Sequence, residues 1–345
     1  MSTPKRLLLV RPSALGDVCR TVPLVTTLQA AYPEATIDWV VQDTFVPAVA
    51  SHPGVSDAIG FPRRRFGRWY RPSVLKEMRA WFGRLRKRGY DQVIDAQGLA
   101  RSGLITRLSG GRERIGFANA REMAWLAYNR RHPVDRDLHT VDRMLELLAA
   151  EGHEPVVDMA LYPPEEDLAW RDQWLAEQGL ADSPWLLLAP TARWRCKRWP
   201  VDRYLEVARR GLADDRLADR VVVAAAPWER EDVQPLIDEL GEAVVLPETT
   251  VGRLLALVAG CRLLVCNDSA PLHMAVGCDR PAVAVFGPTD PAKVGPYQRP
   301  DDVVQPPGIT EDQMKDYRSR ADDDSLISQV EVDAVWEKVS GRLGE

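Results

Sequence analysis

The feature that most constrains this chain is a short, almost uninterrupted aliphatic run that recurs along it, each time followed by a loop and then a helical pattern. In the first half the runs are Arg6-Leu-Leu-Leu-Val10, Thr36–Val41, Asp57–Phe61 and Asp91–Asp95. In the second they are Trp185–Ala189, Arg220–Ala225, Ala243–Leu246, Leu263–Cys266 and Ala282–Phe286. Segments this short and this apolar suit strands buried on both faces, the situation inside a parallel sheet covered by helices. Between them, Val18–Ala31 reads as a helix. So does Ser73–Arg88, with Val74, Leu75, Met78, Trp81, Phe82 and Leu85 at helical spacing. Strand and helix in alternation predict βαβ units.

A polar, proline-bearing stretch from Tyr162 to Pro184 interrupts the pattern. We therefore expect two α/β halves with a cleft between them, the alternative being one large sheet. The expected spans are residues 1–165 and 180–325, with a closing helix in 326–345. A length of 345 residues fits two domains of ordinary size.

Composition narrows the function classes. No apolar run approaches the length of a membrane-spanning helix, and the four-residue apolar stretch near the start is too short for a signal-peptide core. The five cysteines (Cys19, Cys196, Cys261, Cys266, Cys278) form no C-x-x-C pair, which favours free thiols in a reducing cytoplasm over a disulfide framework or a zinc site. The net charge of −5 conceals an asymmetry. Residues 1–150 carry 24 Lys and Arg against 14 Asp and Glu, while the remainder carries 21 against 36. A basic half suggests an anionic partner there: nucleic acid, a membrane surface, or a phosphorylated or carboxylated substrate.

The common α/β signatures are missing: no G-x-G-x-x-G follows a strand, and there is no Walker motif and no G-x-S-x-G elbow. Three loops remain. Ser13-Ala-Leu-Gly-Asp17 follows the first strand, where ligands of parallel sheets bind. Asp17 either points into the site or caps the next helix. Pro190–Pro200 places Arg193, Arg195, Lys197 and Arg198 within six residues ahead of a helix, a phosphate site by charge and dipole or else a solvated basic loop. Asn267-Asp268-Ser269 leads a third strand into a helix that carries His273. Ser269 and the helix amides can hold phosphate oxygens and Asp268 can hold sugar hydroxyls, or these residues cap and pack. Two such loops, one per domain, fit a nucleoside-diphosphate ligand.

Phe61–Arg71 interleaves arginines with Trp69 and Tyr70. It suits carboxylates and phosphates of a lipid-linked glycan, with the aromatics at a membrane interface, or else is a surface approach to the next helix that binds no ligand. No nucleic-acid-binding signature accompanies it, so nucleic acid is not an expected partner. The Asp135-Arg-Asp137 and Asp322-Asp-Asp324 clusters are assigned no metal.

Read together, the motifs resemble glycosyltransferase family nine, the ADP-heptose:lipopolysaccharide heptosyltransferases, and among them the type I branch. The carrying residues are Ser13–Val18 with Thr21–Leu24, Val93-Ile-Asp-Ala-Gln-Gly-Leu99, Ala120–Glu122, Lys197–Pro200, Asp268-Ser269 with His273, and Phe286-Gly-Pro-Thr-Asp-Pro291. The resemblance implies a GT-B fold of two Rossmann-like domains, the first binding acceptor and the second ADP-heptose. It implies an inverting transfer to the Kdo of the inner core, with no metal or other cofactor, in a cytoplasmic monomer resting on the inner membrane. It further implies Asp17 as general base, with Lys197 and Thr191 on the phosphates beside Ser269 and Ala270. Glu229 falls on the ribose, Thr249 near the adenine, and Asp268 with His273 at the donor. Ser13, Gln97, Arg64, Arg65, Arg68 and Arg121 fall on the anionic acceptor. Pro271 removes one amide from the expected phosphate cradle.

Overall fold

The computed structural model describes residues 3–315 and 319–343. The chain divides after Tyr162 into two compact units. In the first, the elements run β1 (Arg6–Val10), α1 (Leu15–Cys19), α2 (Val22–Ala31), β2 (Thr36–Gln42), β3 (Asp57–Phe61), α3 (Arg63–Phe66), α4 (Pro72–Lys87), β4 (Gln92–Asp95), α5 (Ala100–Leu108), β5 (Glu113–Phe117), β6 (Arg130–His132) and α6 (Thr140–Ala149). The sheet order is β3-β2-β1-β4-β5-β6, and every pairing is parallel.

The second unit repeats the plan with α7 (Glu165–Glu177), β7 (Trp185–Ala189), α8 (Val201–Leu212), β8 (Arg220–Val223), α9 (Arg230–Leu240), β9 (Val244–Val245), α10 (Val251–Gly260), β10 (Leu263–Asn267), α11 (Ala270–Gly277), β11 (Ala282–Val285), α12 (Pro291–Val294), β12 (Val303–Val304), α13 (Glu311–Lys315) and α14 (Val332–Gly341). Its order, β12-β11-β10-β7-β8-β9, is the Rossmann order again. In each unit the direction of winding reverses between the first and fourth strands, β1/β4 and β7/β10, and the loops leaving those strands lie side by side.

The apolar runs form the central strands: Leu7, Leu8, Leu9 and Val10, and Leu186, Leu187 and Leu188, have no exposed surface. Two details depart from the sequence reading. The helix expected over Val18–Ala31 breaks at Arg20–Thr21. Pro23 lacks an N–H and its ring excludes the carbonyl four residues back, so a second helix starts at Val22. Strands β5, β6 and β12 were not anticipated. They are short and lie toward the sheet edges, and β5 and β6 carry Glu113, Arg114, Arg130, Arg131 and His132 in place of an aliphatic run.

Candidate functional site

In the N-terminal unit, Val10 passes directly into Arg11, a charged residue that is only 8% exposed. Its guanidinium donates to the carbonyl of Ala96, which ties the end of β1 to the loop after β4. The same guanidinium lies 3.2 Å from Asp17 Oδ1, and Arg20 reaches that oxygen at 2.5 Å. The other oxygen, Oδ2, accepts the N–H of Ala14 at 3.1 Å. Asp17 thus helps to close the first turn of α1 and is also held between two cations. Burial pushes its carboxyl up, but Arg11, Arg20 and the Ala14 amide outweigh that and hold it well below the usual carboxylate range. Asp17 is therefore ionised throughout the physiological range.

Beside it, Gln97 Nε2 lies 3.4 Å from Ser13 Oγ, and Gln97 Oε1 is buried with no hydrogen-bond partner. The Gln97 loop is fixed from beneath. Asp95 Oδ1 accepts the amides of Gln97 and Gly98 at 2.9 and 3.0 Å, and its Oδ2 accepts the Tyr128 hydroxyl at 2.7 Å. Gly116 makes room for Tyr128: a Cβ there would stand 2.4 Å from the ring. Arg121 is exposed and joins this loop through its amide, which donates to the Gly98 carbonyl at 3.0 Å.

Further cations surround the site. Arg143, on α6, lies over the Phe117 ring at 5.6 Å with its Nε buried and unpartnered. Burial lowers its pKa, and so do the charges of Arg11, Arg136 and Arg121, while Asp135 acts in the opposite sense. The loops at the carboxyl ends of β1, β4 and β5 therefore gather Arg11, Arg20, Arg121, Arg136 and Arg143 around Asp17, while Asp95 is taken up by the Gln97 and Gly98 amides and the Tyr128 hydroxyl. The sequence reading did not single out Arg11, Arg20, Arg136 or Arg143. The available signal was a charged residue placed directly after an all-aliphatic strand. Arg64, Arg65 and Arg68 sit at or just beyond α3, after β3, two strands away in the sheet. All three are exposed, and Arg65 is engaged by Glu77 through two hydrogen bonds of 2.9 and 2.6 Å.

In the C-terminal unit, Lys197 closes a short 3-10 turn, Arg195–Lys197, and its Nζ meets Asp268 Oδ2 at 2.5 Å. Both side chains are largely buried, 13% and 7% exposed. Asn267, one residue before Asp268, braces the two loops. Its Nδ2 donates to Pro190 O at 2.7 Å, and its Oδ1 accepts from the Trp199 amide and the Tyr204 hydroxyl, each at 3.0 Å. Gly287 supports the same turn from another side, since a Cβ there would stand 2.2 Å from the Cys196 carbonyl oxygen. This contact gives the Phe286-Gly-Pro-Thr motif a physical reason, and neither Asn267 nor Gly287 had been assigned a role from sequence.

The remaining predicted residues fall on successive loops of this unit. Thr191, after β7, donates to Glu229 Oε2 at 3.0 Å, and Glu229, after β8, also accepts the Ala226 amide at 2.9 Å. Thr249 follows β9, just ahead of Thr250, which caps α10 by accepting the Arg253 amide. Ser269 is the N-cap of α11 but makes no side-chain cap bond, and Ala270 and Pro271 form the first turn. At that position Pro271 removes an amide that has no intrahelical partner in any case. His273 is buried within α11.

Two Rossmann-order sheets in one chain, each with charged loop residues gathered where its winding reverses, are the architecture of the GT-B glycosyltransferases. The chain belongs to glycosyltransferase family 9, the heptosyltransferases, whose family model matches residues 78–321. It is 34% identical over 306 residues to lipopolysaccharide heptosyltransferase 1 of Pseudomonas aeruginosa, covering 85% of this chain and 82% of the relative. It is 31% identical over 310 residues to the protein of that name from Escherichia coli K12, covering 88% and 94%. Among solved structures, the E. coli heptosyltransferase WaaC with ADP superposes with a TM-score of 0.79 at 28% identity, covering 98% of this chain and 99% of that one.

Proposed function

We propose that this chain transfers L-glycero-D-manno-heptose from its ADP donor to the Kdo sugar of the lipopolysaccharide inner core. In this reading it acts with inversion, with neither a metal nor another resident cofactor, as a monomer at the cytoplasmic face of the inner membrane. The observation that carries the reading is the Asp17 carboxylate, held ionised by Arg11 and Arg20 at the reversal point of the N-terminal sheet. The names of the relatives supply the substrate class.

In the proposed mechanism Asp17 accepts the proton of the attacking Kdo hydroxyl as that oxygen bonds to the anomeric carbon, on the face opposite the departing diphosphate. A carboxylate with so low a pKa is a weak base, so it takes the proton late, once attack has made the hydroxyl acidic. In this reading Ser13, Gln97, Arg64, Arg65, Arg68 and Arg121 bind the acceptor, joined by Arg143 and Arg136, the arginine forks suiting its carboxylates or phosphates. In the C-terminal unit the diphosphate meets Lys197, Thr191 and the first amides of α11. These groups gain most as negative charge grows on the leaving ADP. Asp268 holds Lys197 in place and is positioned for a sugar hydroxyl, while Glu229 takes the ribose and Thr249 lies by the adenine.

The test offers ADP-heptose and competing nucleotide sugars to a Kdo-bearing lipid A precursor and reads the product by mass spectrometry. Addition of one heptose, undiminished in EDTA, is the expected result. A requirement for Mg²⁺, or transfer from another nucleotide sugar in preference, overturns the corresponding part.

A further inference from the structure

The N-terminal unit exposes large apolar side chains that neither the core nor the proposed chemistry uses. Met123 is 65% exposed, Leu126 54% and Leu104 49%. They belong to one surface. The 3-10 turn Ala124–Ala127 packs its alanines inward, 3% and 8% exposed, and a Cβ on Gly103 of α5 would meet Ala124 at 3.2 Å. The turn therefore lies against α5 beside Leu104, and Leu108 follows one helical turn further along the same exposed face. Glu122 and Met123 both adopt positive φ, 53° and 58°, a conformation that non-glycine residues enter only at a cost. Here that cost accompanies an apolar side chain turned to solvent.

The rim of this surface is basic. Arg101 and Arg107 are exposed on α5, and the Arg131 guanidinium lies 5.1 Å from the Trp125 ring centre. Glu122, the acid within the patch, is turned to the Ala100 amide at 3.0 Å. The basic character continues onto α4, whose Arg86 stem runs along Gly110 just past the end of α5. Between Arg63 and Arg88 the chain carries eleven Lys and Arg against one acid, Glu77. An apolar ridge inside a cationic belt matches acyl chains beneath phosphate headgroups.

We propose that α5 and the Ala124–Ala127 turn form the docking surface for an anionic phospholipid leaflet, Leu104, Met123 and Leu126 entering the acyl boundary while Arg101, Arg107 and Arg131 meet the headgroup phosphates. This deepens the reading of a lipid-linked acceptor by naming the face that rests on the membrane. It is tested without acceptor, by co-sedimentation of the full chain with vesicles of phosphatidylcholine alone or with added phosphatidylglycerol.

The expected result is binding to the anionic vesicles that weakens with salt. Leu104→Asp with Leu126→Asp lowers partitioning by about tenfold or more, and Leu104→Ser with Leu126→Ser lowers it less. Arg101→Glu with Arg107→Glu abolishes the preference for phosphatidylglycerol. All three variants keep the wild-type melting temperature and the wild-type turnover of a detergent-dispersed acceptor. Vesicle binding unchanged in the aspartate variant overturns the proposal, as does absence of binding by the wild type. A dimer in light scattering that the same variant dissolves overturns it too, by assigning the face to a second copy of the chain. Vesicle binding with no transfer to the dispersed acceptor leaves the docking surface standing and sinks the functional reading.

Discussion

The two sheets share an order of winding, yet the charges at their reversal points are arranged in opposite senses. In the N-terminal unit one carboxylate, Asp17, faces an excess of cations: Arg11 and Arg20 in contact, with Arg143, Arg121 and Arg136 grouped nearby. In the C-terminal unit the largely buried Lys197 ammonium is paired directly with the Asp268 carboxylate. The first arrangement keeps its acid ionised and leaves positive charge for a further anion. The second pairs its buried cation with an acid, and in the proposed reading the donor's diphosphate brings new negative charge to it. Under the proposed function, a common fold presents an acceptor grip at one reversal point and a donor grip at the other, because the loops, not the strands, carry the difference.

The contrast is broken most sharply by removing the central charge from each side. Asp17→Asn is expected to lower kcat by about a thousandfold, with ADP-heptose affinity within a factor of two or so of wild type, since the amide keeps the shape and loses the base. Lys197→Ala is expected to lower kcat by roughly a hundredfold and to weaken ADP-heptose binding as well. Isothermal titration beside steady-state kinetics separates the two. Equal effects of both changes on donor affinity would dissolve the distinction.

A smaller effect tests the scaffold of the Lys197–Asp268 site. Gly287→Ala drives a methyl into the Cys196 carbonyl and is expected to cost about 1–3 kcal/mol in urea unfolding. It is also expected to raise the donor KM through displacement of Lys197, while the acceptor KM holds. A loss shared evenly between the two substrates would count against the local explanation.

The smallest effect lies in pH. The Asp17 carboxyl is held below its ordinary value, so the unfolded chain binds that proton more readily. Its stabilising ion pairs are complete above the usual carboxylate pKa and are lost as pH falls toward the folded one. Arg20→Met removes one of the two cations and is expected to move the acid limb of kcat/KM upward by about a unit. An unmoved limb would mean that Arg20 does not set the ionisation of Asp17.

Much of this was legible beforehand, for reasons that differ from residue to residue. Strands such as Leu7–Val10 and Leu186–Leu188 could be read because burial on both faces demands an unbroken aliphatic run. Asp17, Lys197 and Asp268 could be singled out because they stand in loops directly after such runs. Strand β6, Arg130–His132, was illegible because an edge strand needs no apolar pattern, only backbone pairing to a neighbour. Asn267 and Gly287 were illegible because their partners, Pro190 and Cys196, lie far away in the chain. The same distance hid the pairing of Lys197 with Asp268, which the sequence reading had assigned to different parts of the donor.

Periodicity and loop position, both local properties, determined the two parallel sheets and the charged loops that follow their strands. Only the tertiary structure decided which charges face each other, because the distance between Arg11 and Ala96, or between Lys197 and Asp268, depends on how strands pair rather than on spacing in the sequence. The same holds for the exposed ridge of α5: leucines are ordinarily core residues, and only the packing of Gly103, on the buried face of that helix, against Ala124 leaves Leu104 and Leu108 facing outward.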